Sequence, residues 1–180
     1  MSSSIWTIGH STRPIDEFIT LLKAHHVHRL VDVRTVPHSR HNPQFNTEQL
    51  DQSLRQAGLN YVHMPQLGGL RKAKKDSVNL GWRNASFRGY ADYMLSEEFW
   101  KAIEELMTHS RSQLTAIMCA EAVPWRCHRA LIADALVSRG SEVRHIMSET
   151  KADPHRLTAF ATLENGSLLY PDPEASSRLF

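Results

Sequence analysis

The segment Leu114-Thr115-Ala116-Ile117-Met118-Cys119-Ala120-Glu121-Ala122-Val123-Pro124-Trp125-Arg126-Cys127-His128-Arg129 decides the fold. Leu114–Met118 is a short apolar run that halts at a polar loop, the pattern of a buried strand. From Arg129 to Arg139, Leu131, Ile132, Ala135 and Leu136 recur on one helical face, and Gly140 supplies the stop. Val143–Met147 is a further strand. Strand, crossover helix and strand together make the unit from which parallel sheets are built.

Working outward, the same alternation repeats. Ile5–Ile8 is a strand ending in Gly9-His10-Ser11, and Thr12-Arg13-Pro14 opens a helix lined by Ile15, Phe18, Ile19 and Leu22. Leu30–Arg34 is a second strand, stopped by Pro37. Asn46 with Gln49 three residues on predicts a capped helix lined by Leu50, Leu54 and Ala57 and ended by Gly58. Tyr61–Met64 is a third strand, and a long loop runs from Pro65 to Gly89. The spacing of Phe99, Ile103, Leu106 and Met107 predicts one helix over 90–109. Asn165-Gly166 between 158–163 and 168–170 marks a β-hairpin, an antiparallel addition or a flap. The expected fold is α/β: a mainly parallel sheet of about five strands with helices on both faces, plus a C-terminal β-hairpin. No repeat or linker divides residues 1–180, so one domain is expected.

Composition narrows the class. An apolar fraction of 41% with 22% charged residues suits a packed domain. No apolar run approaches the roughly 18 residues of a membrane span. The chain start lacks the basic and apolar regions of a signal peptide. With Cys119 and Cys127 as the only cysteines, a disulfide scaffold is not expected, and a reduced, cytoplasmic setting fits. A net charge of +2 is too close to balance to argue for or against nucleic-acid binding by itself. Locally, Arg71, Lys72, Lys74 and Lys75, with Arg83 and Arg88, form either a solvated loop or a phosphate contact. Gly68-Gly69, Trp82 and Phe87 in that loop would allow close backbone approach and stacking.

Parallel sheets bind ligands beyond the carboxyl ends of their strands. Those ends carry His10 and Ser11, Asp32 and Arg34, His63, Cys119 and Glu121, and His145. Cys119 is followed by arginines and a helix start, a setting that stabilises anions and would favour a thiolate. It reads equally as a core residue or as a group lining a ligand. Cys127 is a resolving thiol or loop packing. Asp32 and Glu121 suit acid–base work, or hold Arg34 and Arg129 in an ion-pair network. His10, His63, His128 and His145 lack tight ligand spacing, so no metal site is expected. His38 and His41 read as surface.

Leu30-Val31-Asp32-Val33-Arg34 resembles the Asp-Val-Arg strand of rhodanese-like domains, and the segment from strand 114–118 through helix 129–139 resembles their active-site segment. The loop here has Glu121 and Pro124 and no glycine, so that resemblance implies topology rather than mechanism. A closer resemblance covers almost the whole chain. Thr7-Ile8-Gly9-His10-Ser11, Asp32-Val33-Arg34 with Pro37 and Ser39-Arg40, Leu67-Gly68-Gly69, Gly89-Tyr90-Ala91, and Cys119-Ala120-Glu121 with Cys127-His128-Arg129 are similar to the signature set of the DUF488 family, a domain of unknown function.

The residues support three activities. The first is an enzyme acting on a phosphorylated or nucleic-acid-derived substrate, with Cys119, Glu121, Asp32 and His10 as its chemical groups. Arg34, Ser11, Arg40, Gly68, Gly69, Tyr90, Cys127, His128 and Arg129 would then bind the substrate. The second is a sulfurtransferase-like enzyme using Cys119. The third is a nucleotide or nucleic-acid binding module without turnover. An anionic small molecule or a nucleic acid is the expected partner, no membrane is involved, and no cofactor is specified.

Overall fold

The computed structural model describes residues 2–179. Five parallel strands form the sheet: β1 (Ser4–Gly9), β2 (Arg29–Asp32), β3 (Asn60–His63), β4 (Thr115–Cys119) and β5 (Glu142–Ile146). A sixth, β6 (Ala152–Pro154), pairs antiparallel with β5, giving the order β3-β2-β4-β1-β5-β6. The α/β class and the parallel sheet match the sequence expectation. β6 is an addition to it: three residues ending in proline carry no strand signal, and proline is tolerated there because the strand is at an edge.

Alternation along each strand sorts the core into two layers. Ile8, Leu30, Ala116, Met118 and Ile146 meet helices α1 (Ile15–Ala24) and α2 (Thr47–Gln56) through Phe18, Leu22, Leu50 and Leu54. Ile5, Val31, Ile117 and Val143 face the other way. They meet α3 (Ala85–Tyr93), α4 (Glu97–Ser112) and α5 (Arg129–Ser138) through Tyr90, Ile103, Leu106, Leu131 and Leu136.

The single helix expected over 90–109 is two helices. Ser96 breaks it by capping α4, accepting a hydrogen bond from Phe99 N at 3.3 Å, while Asn84 caps α3. Apolar periodicity continues across the break, so periodicity alone does not reveal it. The capping pattern at Asn46 also resolves differently. Its side-chain oxygen accepts from Ser39 N at 2.7 Å and tethers the preceding loop instead of capping α2.

The expected hairpin is present as β7 (Thr162–Glu164) and β8 (Ser167–Leu169), a separate two-stranded antiparallel sheet. It pins the long loop after β3. Asn79 Oδ1 accepts from Tyr170 N at 3.0 Å, and Gly81 N donates to Tyr170 O at 2.9 Å. The Asp92 carboxylate gathers the same loop, accepting from Lys74 N, Ser77 Oγ and Asn79 Nδ2. Among the described residues, no helix is long and apolar enough to cross a membrane.

Topology locates the site. From β1 the chain crosses through α1 to β2, and from β4 it crosses through α5 to β5, in opposite directions and on opposite faces. β1 and β4 are neighbours, with Gly9 beside Cys119 in register. Their carboxyl ends are therefore the switch point at which a crevice opens.

Candidate functional site

A pocket of about 900 Å³ opens at that switch point. His10 and Ser11 from the end of β1, Arg34 following β2, and Cys119 and Glu121 from β4 line it, together with Gly69, Tyr90, Cys127 and His128. These nine are all residues the sequence singles out. Asp32, Arg40, Gly68 and Arg129 are not in its wall. Asp32 and Arg129 stand directly behind it, Arg40 is exposed, and Gly68 packs against Thr35. None of Arg71, Lys72, Lys74, Lys75, Arg83 and Arg88 lines the pocket. They are dispersed instead: Arg71 stacks over Tyr93 at 3.7 Å, and Arg83 pairs with Glu174 on the surface.

The close approach of the β1 and β4 loops depends on Gly9. A Cβ there would overlap the carbonyl oxygen of Glu121, so only glycine lets the two loops meet. They are then stitched by His10 N to Cys119 O and Ser11 N to Ala120 O, both 2.9 Å. Two non-glycine wall residues hold left-handed backbone, Ser11 at φ 48° and Leu70 at φ 60°. Such strain persists only where the surroundings impose it, and it concentrates at functional sites.

Arg34 is 8% exposed and is oriented from below. Asp32, fully buried, accepts Arg34 Nε at 2.9 Å on one oxygen and Nη2 at 2.7 Å on the other. Arg34 N and Tyr61 OH complete the carboxylate's shell, and Nη2 also donates to Phe45 O. This bidentate arrangement fixes the guanidinium plane. It commits Nε and Nη2 and leaves Nη1, which lies 3.3 Å from His10 Nε2. Burial and the Asp32 charge hold the Tyr61 hydroxyl above its ordinary pKa, so it stays a donor.

His10 has a defined tautomer. Its Nδ1 donates to Ser11 O at 2.7 Å, leaving the Nε2 lone pair toward Arg34 Nη1. Burial, with Arg34 nearby, lowers its pKa to about 4, so the ring is neutral at pH 7. Phe45 stacks on it at 4.3 Å. His128 is set in the same way: Nε2 donates to Val33 O at 3.1 Å, and burial lowers its pKa to about 4. Its Nδ1 is left as an acceptor 3.6 Å from Cys127 Sγ. Gly69 lies against that ring, where a Cβ would stand 3.3 Å from Nδ1.

Cys119 and Cys127 are joined as a disulfide in the pocket wall, where the sequence leads one to expect a reduced setting. The link spans one loop at the site and does not staple the fold. Arg129, 1% exposed, supports that loop from beneath. Nη2 donates to the Glu121 carbonyl at 2.8 Å and Nη1 to Thr7 Oγ1 at 3.2 Å, a carbonyl and a hydroxyl in place of a carboxylate. Burial of this unpaired cation lowers its pKa to about 10.

The structure adds residues that sequence reasoning misses. Thr35, Asn42, Leu70 and Arg126 also line the pocket, as does His38, which reads as plain surface in the sequence. Only Arg126 has a local signal, its place in the Cys119–Arg129 loop. The others arrive from loops that the chain folds over the switch point. His63 lies outside the pocket, its Nε2 donating to Arg34 O at 2.7 Å, and His145 belongs to a buried network beneath α5. Among the described residues no three His, Cys, Asp or Glu side chains cluster as a metal site would require.

A family model described as "Domain of unknown function DUF488" matches residues 14–136. No curated protein and no solved structure matches the chain.

Proposed function

The chain belongs to the DUF488 family, and from that premise we propose that its pocket is the active site of an enzyme acting on a phosphorylated or nucleic-acid-derived substrate. One observation carries the reading: Arg34 Nη1 and His10 Nε2 stand 3.3 Å apart in the pocket at the switch point. The first is a cationic donor locked in orientation by a buried carboxylate. The second is a neutral base whose lone pair is set by a backbone carbonyl. A substrate oxygen bearing negative charge is received by Nη1, while His10 takes a proton from a hydroxyl or water beside it.

The remaining residues divide by position. Glu121, exposed at the rim, supplies a second acid–base group. Asp32, walled off by Arg34 and Tyr61, acts as a positioning residue. Arg126 at the mouth attracts phosphate, and Phe87 with Tyr90 offers aromatic surface to a base or ring. Arg129 holds the Glu121 loop in place without touching substrate.

The test is a panel of nucleoside phosphates, sugar phosphates and short single-stranded oligonucleotides. Binding is followed by calorimetry and turnover by mass spectrometry of products. One class is expected to bind in competition with inorganic phosphate and to be converted. Glu121→Gln should keep affinity and lose turnover, and His10→Gln should lose turnover by about 100-fold or more. Binding with no turnover under any condition would replace the enzyme with a binding module. No binding by any member of the panel would overturn the reading altogether.

A further inference from the structure

We propose that Cys127 and Cys119 form a thiol–disulfide exchange pair open to the pocket, with Cys127 as the attacking sulfur and Cys119 as the resolving one, acting on a low-molecular-weight disulfide. This activity is independent of the anionic-substrate reading and assigns the two cysteines roles opposite to those their order in the sequence suggests.

The surroundings of the two sulfurs differ in kind. Cys127 Sγ accepts the Arg129 backbone N–H at 3.4 Å, at the first turn of the ten-residue helix α5. It also faces the His128 Nδ1 lone pair at 3.6 Å, and that ring is oriented by its bond to Val33 O. A nucleophile beside a base that a third group orients is the arrangement that activates a thiol. The N–H bond and the helix terminus stabilise negative charge on this sulfur.

Cys119 has the reverse environment. Its polar partner is the Glu121 carbonyl oxygen, 3.9 Å away, which accepts a hydrogen bond from the thiol and offers nothing to a thiolate. Its residue is also the more buried of the two, 2% exposed against 6% for Cys127. Both line the pocket, so a small reagent that enters it reaches Cys127 next to the partner with which it pairs.

The steps balance. In the dithiol form, the Cys127 thiol, beside the His128 Nδ1 lone pair, loses its proton to water, and the thiolate attacks one sulfur of a disulfide R–S–S–R. The bond between Cys127 and S–R forms, the R–S–S–R bond breaks, and the leaving R–S⁻ collects a proton from water. Cys119 then attacks Cys127 Sγ, forming the Cys119–Cys127 bond and expelling the second R–S⁻, which takes the proton Cys119 gives up. Two electrons pass from protein to substrate, leaving one protein disulfide and two small thiols.

The experiment uses the reduced, desalted full chain and bis(2-hydroxyethyl) disulfide, with released thiol and peptide masses recorded. Wild type is expected to release two thiols per chain and to close the Cys119–Cys127 bond. Cys119→Ser should stop after one thiol with a mixed disulfide on Cys127, and Cys127→Ser should react about tenfold more slowly or less. Equal rates in the two variants, or a mixed disulfide that builds up on Cys119 of the wild type, would overturn the assignment. Limiting iodoacetamide on reduced wild type gives a check that needs no variant. Cys127 should be alkylated first, with a half-maximal rate below the reference thiol pKa of about 8.5; labelling of Cys119 first would overturn it.

Discussion

His155 Nε2 lies 2.7 Å from Asp134 Oδ1, and that bond gives direction to a chain of buried side chains running to the pocket wall. With Nε2 donating to that carboxylate, His155 Nδ1 is the acceptor for His145 Nε2 at 2.9 Å. His145, neutral because burial lowers its pKa to about 3, then accepts from Thr7 Oγ1 at 2.7 Å. Thr7 in turn accepts from Arg129 Nη1, the guanidinium that holds the Glu121 carbonyl. Every donor in this line points toward Asp134.

Asp134 anchors more than this chain. Its carboxylate also accepts Thr158 N, Thr158 Oγ1 and Tyr170 OH, tying α5 to the hairpin. Asp134→Asn sets an amide N–H₂ among groups that are all donors. It should lower stability by about 2–4 kcal/mol in urea unfolding, the cost of leaving buried donors and a buried histidine without an acceptor. A change within about 0.5 kcal/mol, the range of an ordinary surface substitution, would show that the network bears no weight.

Gly9→Ala tests the junction beneath the pocket. The added methyl meets the Glu121 carbonyl, which is backbone and is held by Arg129, so the loop must move as a whole. We expect a loss of about 1–3 kcal/mol, as for overpacking in a core. Because Cys119 and Cys127 bracket the displaced loop, their relative alkylation rates should change together with stability. Lost stability with unchanged thiol rates would mean that the strain is absorbed in β1 instead.

Much of this was legible in the sequence, and the reasons differ from residue to residue. Strand ends mark ligand sites by topology alone, so His10, Arg34, Cys119 and Glu121 could be named from the order of strands and helices. Their roles could not. Asp32 and Arg34 are two residues apart in a strand and turn, and nothing local reveals that both carboxylate oxygens are consumed by Arg34 and Tyr61. The preference for Cys127 over Cys119 rests on one backbone N–H and one histidine tautomer. Asp134 and His155 lack any pattern, because their network joins residues from β1, α5, β5 and the C-terminal hairpin. The helix break at Ser96 was readable in principle, from a serine followed at once by two glutamates.

The buried histidines set the acid limb of stability, and the sign follows from their depressed pKa values. His10 and His128 fall to about 4 and His145 to about 3, all from 6.5 and all chiefly through burial. Above pH 6.5 these rings are neutral in both folded and unfolded chains, and the stability they permit is fully present. As pH falls below 6.5 the unfolded chain takes up protons that the folded chain refuses. Each ring then removes up to about 1.4 kcal/mol per pH unit, until the folded rings titrate as well. The urea midpoint should therefore be flat from pH 8 to 7, drop steeply between pH 6 and 4.5, and level off below the folded pKa values. His145→Gln, which keeps a donor and an acceptor between Thr7 and His155, removes one of the three rings and should make that drop shallower by about a third. A midpoint that stays flat from pH 7 to 5 in the wild-type protein would mean that these rings are protonated as easily in the fold as in water, and the neutral His10 on which the proposed chemistry relies would go with it.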